Sequence, residues 1–161
     1  MIDIRRYHAE DEQGVRDLIS QIMAEEFRED QEAYPLDDVE DIERTYGGLG
    51  EAFFVAAADR KIVGTVAIKK ENERVALLRR LFVSVPYRKQ RLGLKLIDFA
   101  LAFCDKVGYD EIVFKTTSRM KAAIQVCRKR GFAPRAKLQL GNIELMKFAR
   151  SVRDGKKVKS S

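Results

Sequence analysis

The residues best placed to do chemistry lie between Leu78 and Lys95, in the stretch LRRLFVSVPYRKQRLGLK. An apolar run stops at Pro86, the basic loop Arg88-Lys89-Gln90-Arg91 follows, and Leu92-Gly93 opens a segment with apolar residues at helical spacing. The first turn of a helix leaves backbone N–H groups without intrahelical acceptors and carries the positive end of the helix dipole. A strand that delivers a cationic loop onto such a turn makes an anion site, so a phosphate-bearing ligand is expected at residues 88–95. Other reactive groups are few. Cys104 and Cys127 are the two cysteines and His8 is the single histidine. No His/Cys cluster suggests a metal. Both cysteines fall inside helical patterns, so a disulfide scaffold is not expected and a reducing, cytoplasmic setting is.

The elements that must position this loop can be read from periodicity. Ile2–Arg5 alternates like a short strand. Val15, Leu18, Ile19, Ile22, Met23 and Phe27 fall at helical spacing, and a second short helix is expected over about 37–46, after Pro35 and before Gly47-Gly48. Strands are expected at Phe53–Ala56, Ile62–Lys70 and Ala76–Val83. The linkers between them are too short for crossovers, so they form an antiparallel meander. A helix from Leu92 to Lys106, capped by Gly108, is long enough to carry the chain to a parallel strand at Glu111–Thr116. Ser118 is the expected N-cap of a helix running to Arg130 before Gly131, and strands near Lys137–Leu140 and Glu144–Phe148 close the order. The result is a mixed α/β sheet, β-α-α-β-β-β-α-β-α-β-β, in one domain over residues 1–150. The basic tail 151–161 is expected to be disordered.

The chain has 161 residues, 45% of them hydrophobic and 35% charged, and a formal charge of +6. No apolar run approaches the roughly 20 residues that span a bilayer, and the first residues lack an apolar targeting core, so neither a membrane nor a signal peptide is expected. Net positive charge could mean nucleic acid or an anionic cofactor. Its distribution argues for the second. Cations gather at 79–91, 128–135 and 150–159, while residues 25–44 hold ten acids. No RNP-like aromatic pattern or recognition helix supports nucleic acid. The acidic block is either a solvated face or one side of a cleft that takes a cationic ligand there and an anionic one on the basic side.

This order, with three segments in it, resembles the GNAT (Gcn5-related N-acetyltransferase) superfamily over residues 2–148. Leu78–Val83 with Pro86-Tyr87-Arg88 looks like the family's acetyl-CoA strand. Arg88-Lys89-Gln90-Arg91-Leu92-Gly93 is similar to its pyrophosphate loop, [RQ]-x-x-G-x-[GA]. Ala122-Ala123-Ile124 through Lys129-Arg130-Gly131-Phe132 is similar to its N-x-x-A-x-x-x-Y-x-x-x-G-F segment. The resemblance implies a GNAT-like acyl-CoA N-acyltransferase fold and transfer of an acetyl group from acetyl-CoA to a primary amine of a small molecule or peptide, by direct attack. The alternative is a non-catalytic acyl-CoA sensor or scaffold. The implied donor-binding residues are Leu81, Phe82, Val83, Arg88, Lys89, Gln90, Arg91, Leu92, Gly93, Leu94, Lys95, Met120, Ala123 and Cys127. Backbone groups of Phe82 and Val83 would pair with the pantetheine arm. Similar proteins are often dimeric, so a homodimer is an expectation.

The chain departs from the pattern at the positions that matter for chemistry. Arg91 replaces the first loop glycine. If that position needs positive φ, an arginine costs about 1–2 kcal/mol; the reading preferred from sequence is that only its amide is needed. Met120 stands in place of the family's asparagine. Cys127 stands in place of the tyrosine that protonates the leaving thiolate, so it is either a general acid or a small core residue, with a nucleophilic role the remotest reading. Leu77 stands where many members carry a catalytic glutamate, which leaves Glu73 in the preceding turn as a candidate base and Glu25, Glu26 and Glu71 as weaker ones. Arg79 and Arg80 are expected to face opposite sides of a strand, one toward ligand phosphates.

Overall fold

A computed structural model describes residues 1–33 and 35–153. Seven strands form one sheet in the order β1-β2-β3-β4-β5-β7-β6. The strands are β1 (Ile2–Arg6), β2 (Ala52–Ala58), β3 (Lys61–Lys70), β4 (Val75–Val83), β5 (Glu111–Thr117), β6 (Ala133–Leu140) and β7 (Ile143–Ser151). All neighbours are antiparallel except β4 and β5. Helices α1 (Glu12–Glu26) and α2 (Ile42–Thr45) cover one face over the first strands, while α3 (Leu92–Val107) and α4 (Lys121–Lys129) cover the other. The expected order and sheet hold throughout.

Several boundaries shift for local reasons. The expected helix over 37–46 is two pieces, a 3-10 turn at Asp37–Glu40 and α2. They break at Asp41, whose extended backbone lets its carboxylate accept from the Arg44 N–H. Ser118 does not cap α4; that position belongs to Met120, which provides no side-chain cap, while the Ser118 N–H bonds the Glu144 carbonyl. β7 runs to Ser151, and Val152 behind it is buried in the core, so the packed domain extends past residue 150. The rest of the tail, 154–161, lies outside the described residues.

Two features of β4 position the site. The first is a bulge: β3 pairs Ala67 with Arg79 and then Thr65 with Phe82, so one extra residue enters β4. Arg80 takes that place with φ +53. The insertion flips the alternation, which puts Phe82 on the α1 face with Val55 and Ala67, whereas Leu81 joins the α3 side. The second is a splay. The parallel pairing of β4 with β5 stops at Leu78 and Phe114, although β4 continues to Val83 and β5 to Thr117. Past that point the two strands part and their facing edges open.

The core explains why the α3 start sits where it does. Leu92, Leu96, Ile97, Ala100 and Cys104 are essentially fully buried against β3 and β4. Each large aliphatic side chain buried this way contributes roughly 1.5–3 kcal/mol. That packing, not a cap, holds the first turn, because Arg91 at the N-cap makes no side-chain hydrogen bond to it. Gly93 allows close approach: a Cβ there would lie 3.3 Å from a Val126 methyl, so α3 and α4 touch at this point.

Candidate active site

Two clefts meet at the splay. The larger, about 610 Å³, lies over β4, β5, β7 and β6 on the α1 side. The smaller, about 370 Å³, runs from Ile22 and Glu26 of α1 and the following Phe27 past Val83, Arg88 and Gly93 to the start of α4. Leu81, Phe82 and Met120 line both, so the clefts are continuous through the gap between β4 and β5. A ligand lying in the smaller cleft would have the open edge of β4 beside it and the first turn of α3 at its end.

The smaller cleft gathers part of the expected donor set. Leu81, Phe82, Val83, Arg88, Gly93, Met120 and Ala123 line it. Leu92 and Leu94 turn their side chains into the core, and Lys89, Gln90, Arg91 and Lys95 are exposed. What this loop offers an anion is therefore backbone amides in the first turn of α3, with flanking cations. Arg91 is left-handed, with φ +62 and ψ +20. The position does take the conformation a glycine would favour, which corrects the reading that only its amide mattered. Arg88 is already engaged: its Nε donates to the Val83 carbonyl at 2.9 Å, and its Nη atoms reach Glu26 at 2.8 and 2.9 Å. The Val83 carbonyl, expected to pair with a pantetheine arm, is held by Arg88.

The structure removes two catalytic candidates. Cys127 is fully buried in the core beneath α4 and lines neither cleft. Burial pushes its thiol pKa well above the ordinary cysteine range, which disfavours the thiolate. Lys121, Ala122, Ala123 and Val126 are the α4 residues that line the smaller cleft, while Cys127, one turn after Ala123, packs in the core. Glu73 lies in the turn at the paired end of β4, its side chain 87% exposed and ion-paired to Lys70 at 2.7 Å. It lines neither cleft.

Arg79 and Arg80 do not divide between the faces as alternation predicts, because the bulge lies between Arg79 and Phe82. Arg79 lies over the Tyr46 ring, 5.9 Å from its centroid. Arg80 is buried and donates through Nε and Nη2 to Asp38, whose other oxygen contact is the Tyr46 hydroxyl at 2.6 Å. Burial alone would raise the Asp38 pKa, but the Arg80 and Tyr46 hydrogen bonds outweigh it and hold the carboxyl below its usual range. Neither arginine lines the smaller cleft; both line the larger one.

Most of the acidic block is a solvated face, with Glu25, Glu26, Glu29, Asp37, Glu40, Asp41 and Glu43 exposed and Asp30 and Asp38 buried, and none of these acids lines the larger cleft. Glu26 pairs with Arg88, Asp30 is fully buried against Thr117 and Arg119, Glu29 pairs with Arg119, and Asp38 holds Arg80. These acids tie the segment after α1 onto β4, β5 and α4. Among the described residues no carboxylate lines the larger cleft, whereas Arg79, Arg80, Lys115 and Lys147 do.

The sheet opens at its one parallel pair with a helix start beneath the opening, and comparison with known proteins identifies this architecture. The profile of the acetyltransferase (GNAT) family matches residues 16–132, and the chain belongs to that family. Among curated relatives it is 33% identical over 98 residues to "Probable N-acetyltransferase camello" of Xenopus tropicalis, covering 59% of this chain and 45% of that protein. It is 36% identical over 101 residues to N-acetylaspartate synthetase of the same organism, covering 59% of this chain and 36% of that protein. The chain thus matches less than half the length of these relatives. An acetyltransferase of Streptococcus agalactiae 2603 superposes with a TM-score of 0.83 at 22% identity, covering 93% of this chain and 98% of that one. A GNAT-family acetyltransferase of Staphylococcus aureus Mu50 superposes with a TM-score of 0.81 at 24% identity, covering 95% and 100%. These two likenesses establish the fold. Among the described residues no helix is long and apolar enough to cross a membrane, and no group of His, Cys, Asp and Glu could hold a metal.

Proposed function

We propose that the chain transfers the acetyl group of acetyl-CoA to a primary amine, with the smaller cleft taking the donor and the larger the acceptor. The observation that carries this is the continuity of the two clefts through the β4–β5 gap at Leu81, Phe82 and Met120. The residues present fit the donor: β4 has an unpaired edge beyond Leu78, and α3 presents a first turn of free amides flanked by Arg88, Lys89, Arg91 and Lys95. The donor supplies an activated acetyl carbonyl; attack by the free amine nitrogen forms a C–N bond and breaks the C–S bond, and the proton lost from nitrogen ends on the leaving sulfur as the thiol.

The chain's contribution is mainly positional. Leu81, Phe82 and Met120 form a narrow apolar junction that excludes water and lines up nitrogen and carbonyl. Among the described residues no tyrosine lines either cleft, and the one lining carboxylate, Glu26 of the smaller cleft, is tied to Arg88. Two physical effects compensate. A thiol leaves near its reference pKa of about 8.5, so the leaving group needs little protonation at neutral pH. Cations around the acceptor cleft disfavour the ammonium form of a bound amine, so it is held as the free nucleophile.

The same lack of acid and base favours a second reading, an acyl-CoA-binding sensor without turnover. Thiol release separates them. With acetyl-CoA and a panel of amines, the transferase reading expects acetylated product and stoichiometric thiol. Tight acetyl-CoA binding with no release for any amine supports the sensor.

A further inference from the structure

Arg79, Lys115 and Lys147 stand in one row across three strands. β4 and β5 pair Leu77 with Val113 and Leu78 with Phe114, which brings Arg79 and Lys115 level where the strands part. Lys115 pairs in turn with Lys147 of β7. Residues in register lie on the same face, and all three line the larger cleft. Like charges directly opposite on adjacent strands repel. Here that repulsion is offset from outside the row, by the buried Asp38, which pairs with Arg80 and acts on Arg79 through space; no carboxylate lines this cleft, and none of the three has an ion-pair partner among the described residues.

Arg80 adds an independent observation. Its side chain is 4% exposed and ion-paired with Asp38. Nε and Nη2 are used, but the buried Nη1 has no hydrogen-bond partner among the described residues. A buried donor left unmade is expensive, and native structures retain few. Arg80 lines the same cleft as the row of three. A guanidinium with an open N–H, next to further cations, is a receptor for a planar anion, above all a carboxylate.

We propose that the acceptor is a small primary amine bearing a carboxylate, an amino acid in chemical class. Its carboxylate is held by Arg80 Nη1 and the Arg79–Lys115–Lys147 row, and its nitrogen faces the junction at Leu81, Phe82 and Met120. This rests on the acetyltransferase reading and narrows its substrate. The cation row thus both recruits the anion and keeps the neighbouring amine unprotonated.

The test compares matched acceptors, glutamate against glutamine amide and alanine against alaninamide, with putrescine and O-phosphoethanolamine as further arms and saturating acetyl-CoA. The amides have the less basic amines and so the chemical advantage. The expected result is at least a tenfold higher kcat/KM for the acids. Lys147→Gln and Lys115→Gln should raise KM for the acid at least fivefold, leave the thermal shift from acetyl-CoA in place, and shrink the acid–amide gap; Lys147→Arg should restore it. Preference for O-phosphoethanolamine over both amino acids overturns the carboxylate assignment. Amides or putrescine turned over as well as the acids overturn the proposal while sparing the transferase reading. If no amine is turned over, that reading fails, and glutamate binding to the CoA-loaded protein decides this one: no salt-sensitive binding overturns it.

Discussion

The clefts proposed for donor and acceptor share three residues yet are built by different means. The donor cleft is assembled from short stretches of chain: the end of β4, the loop after it and the first turn of α3, with the start of α4 closing one side. Its anion-binding capacity is a property of backbone at a helix start. The proposed acceptor cleft is assembled from strands brought level by register, and its charge depends on side chains at 79, 80, 115 and 147, with Lys137, ion-paired to Glu144, at its β6 side. The lesson is that donor binding should survive many single substitutions, whereas acceptor binding should depend steeply on a few side chains and on the buried pair that holds one of them.

The largest effect expected is at that pair. Asp38→Ala strands the Arg80 guanidinium in the interior, and removing one partner of a buried ion pair costs about 3–5 kcal/mol. Denaturant unfolding measures it, and a loss below about 1 kcal/mol would mean Arg80 finds another partner. The pair also sets an acid limit. The Asp38 carboxyl is depressed in the folded state, so its contribution is complete above the unfolded-state value of about 3.9 and is lost as pH falls through the lower folded value. Stability should therefore decline below about pH 4, with a shallower slope in Asp38→Asn.

Next comes Cys127→Ala. It removes a buried sulfur from the core, so stability should drop by about 1 kcal/mol while acetyl-CoA affinity and kcat change less than twofold. Loss of kcat with intact folding would return Cys127 to the chemistry. In the same vein, neither cysteine should react with a thiol reagent until the chain unfolds, since burial pushes Cys104 up to about 12 and Cys127 higher still. The smallest effect is at the donor loop. Arg91→Gly relieves a left-handed arginine worth about 1–2 kcal/mol but adds unfolded-state entropy, so the net gain is up to about 1 kcal/mol. Losing one exposed cation should weaken acetyl-CoA at most about fivefold. Complete loss of binding would show that the side chain, not the amides, carries the phosphate site.

What was legible in the sequence follows the same division. Strand and helix order came through because period-2 and period-3.6 patterns are local, and the α3 start did so because a Gly93 after a basic loop is a local signal. The acceptor cleft was not, because Arg79, Lys115 and Lys147 meet only through the β4–β5–β7 register. The Arg80 bulge defeats simple alternation, and it is what turns both arginines to one cleft. Asp38 and Arg80 are 42 residues apart, and nothing within the acidic block marks Asp30 and Asp38 as buried until their partners are placed. Cys127 was misleading for a geometric reason: a position one turn from a cleft residue on a helix need not reach the cleft.

The most direct measurement of the central claim is a crystal structure with CoA bound. The account expects the pyrophosphate on the first turn of α3 and the sulfur at the junction of Leu81, Phe82 and Met120, facing the row of Arg79, Lys115 and Lys147. A pyrophosphate lying on that row, or a sulfur outside the β4–β5 gap, would contradict the assignment of the two clefts.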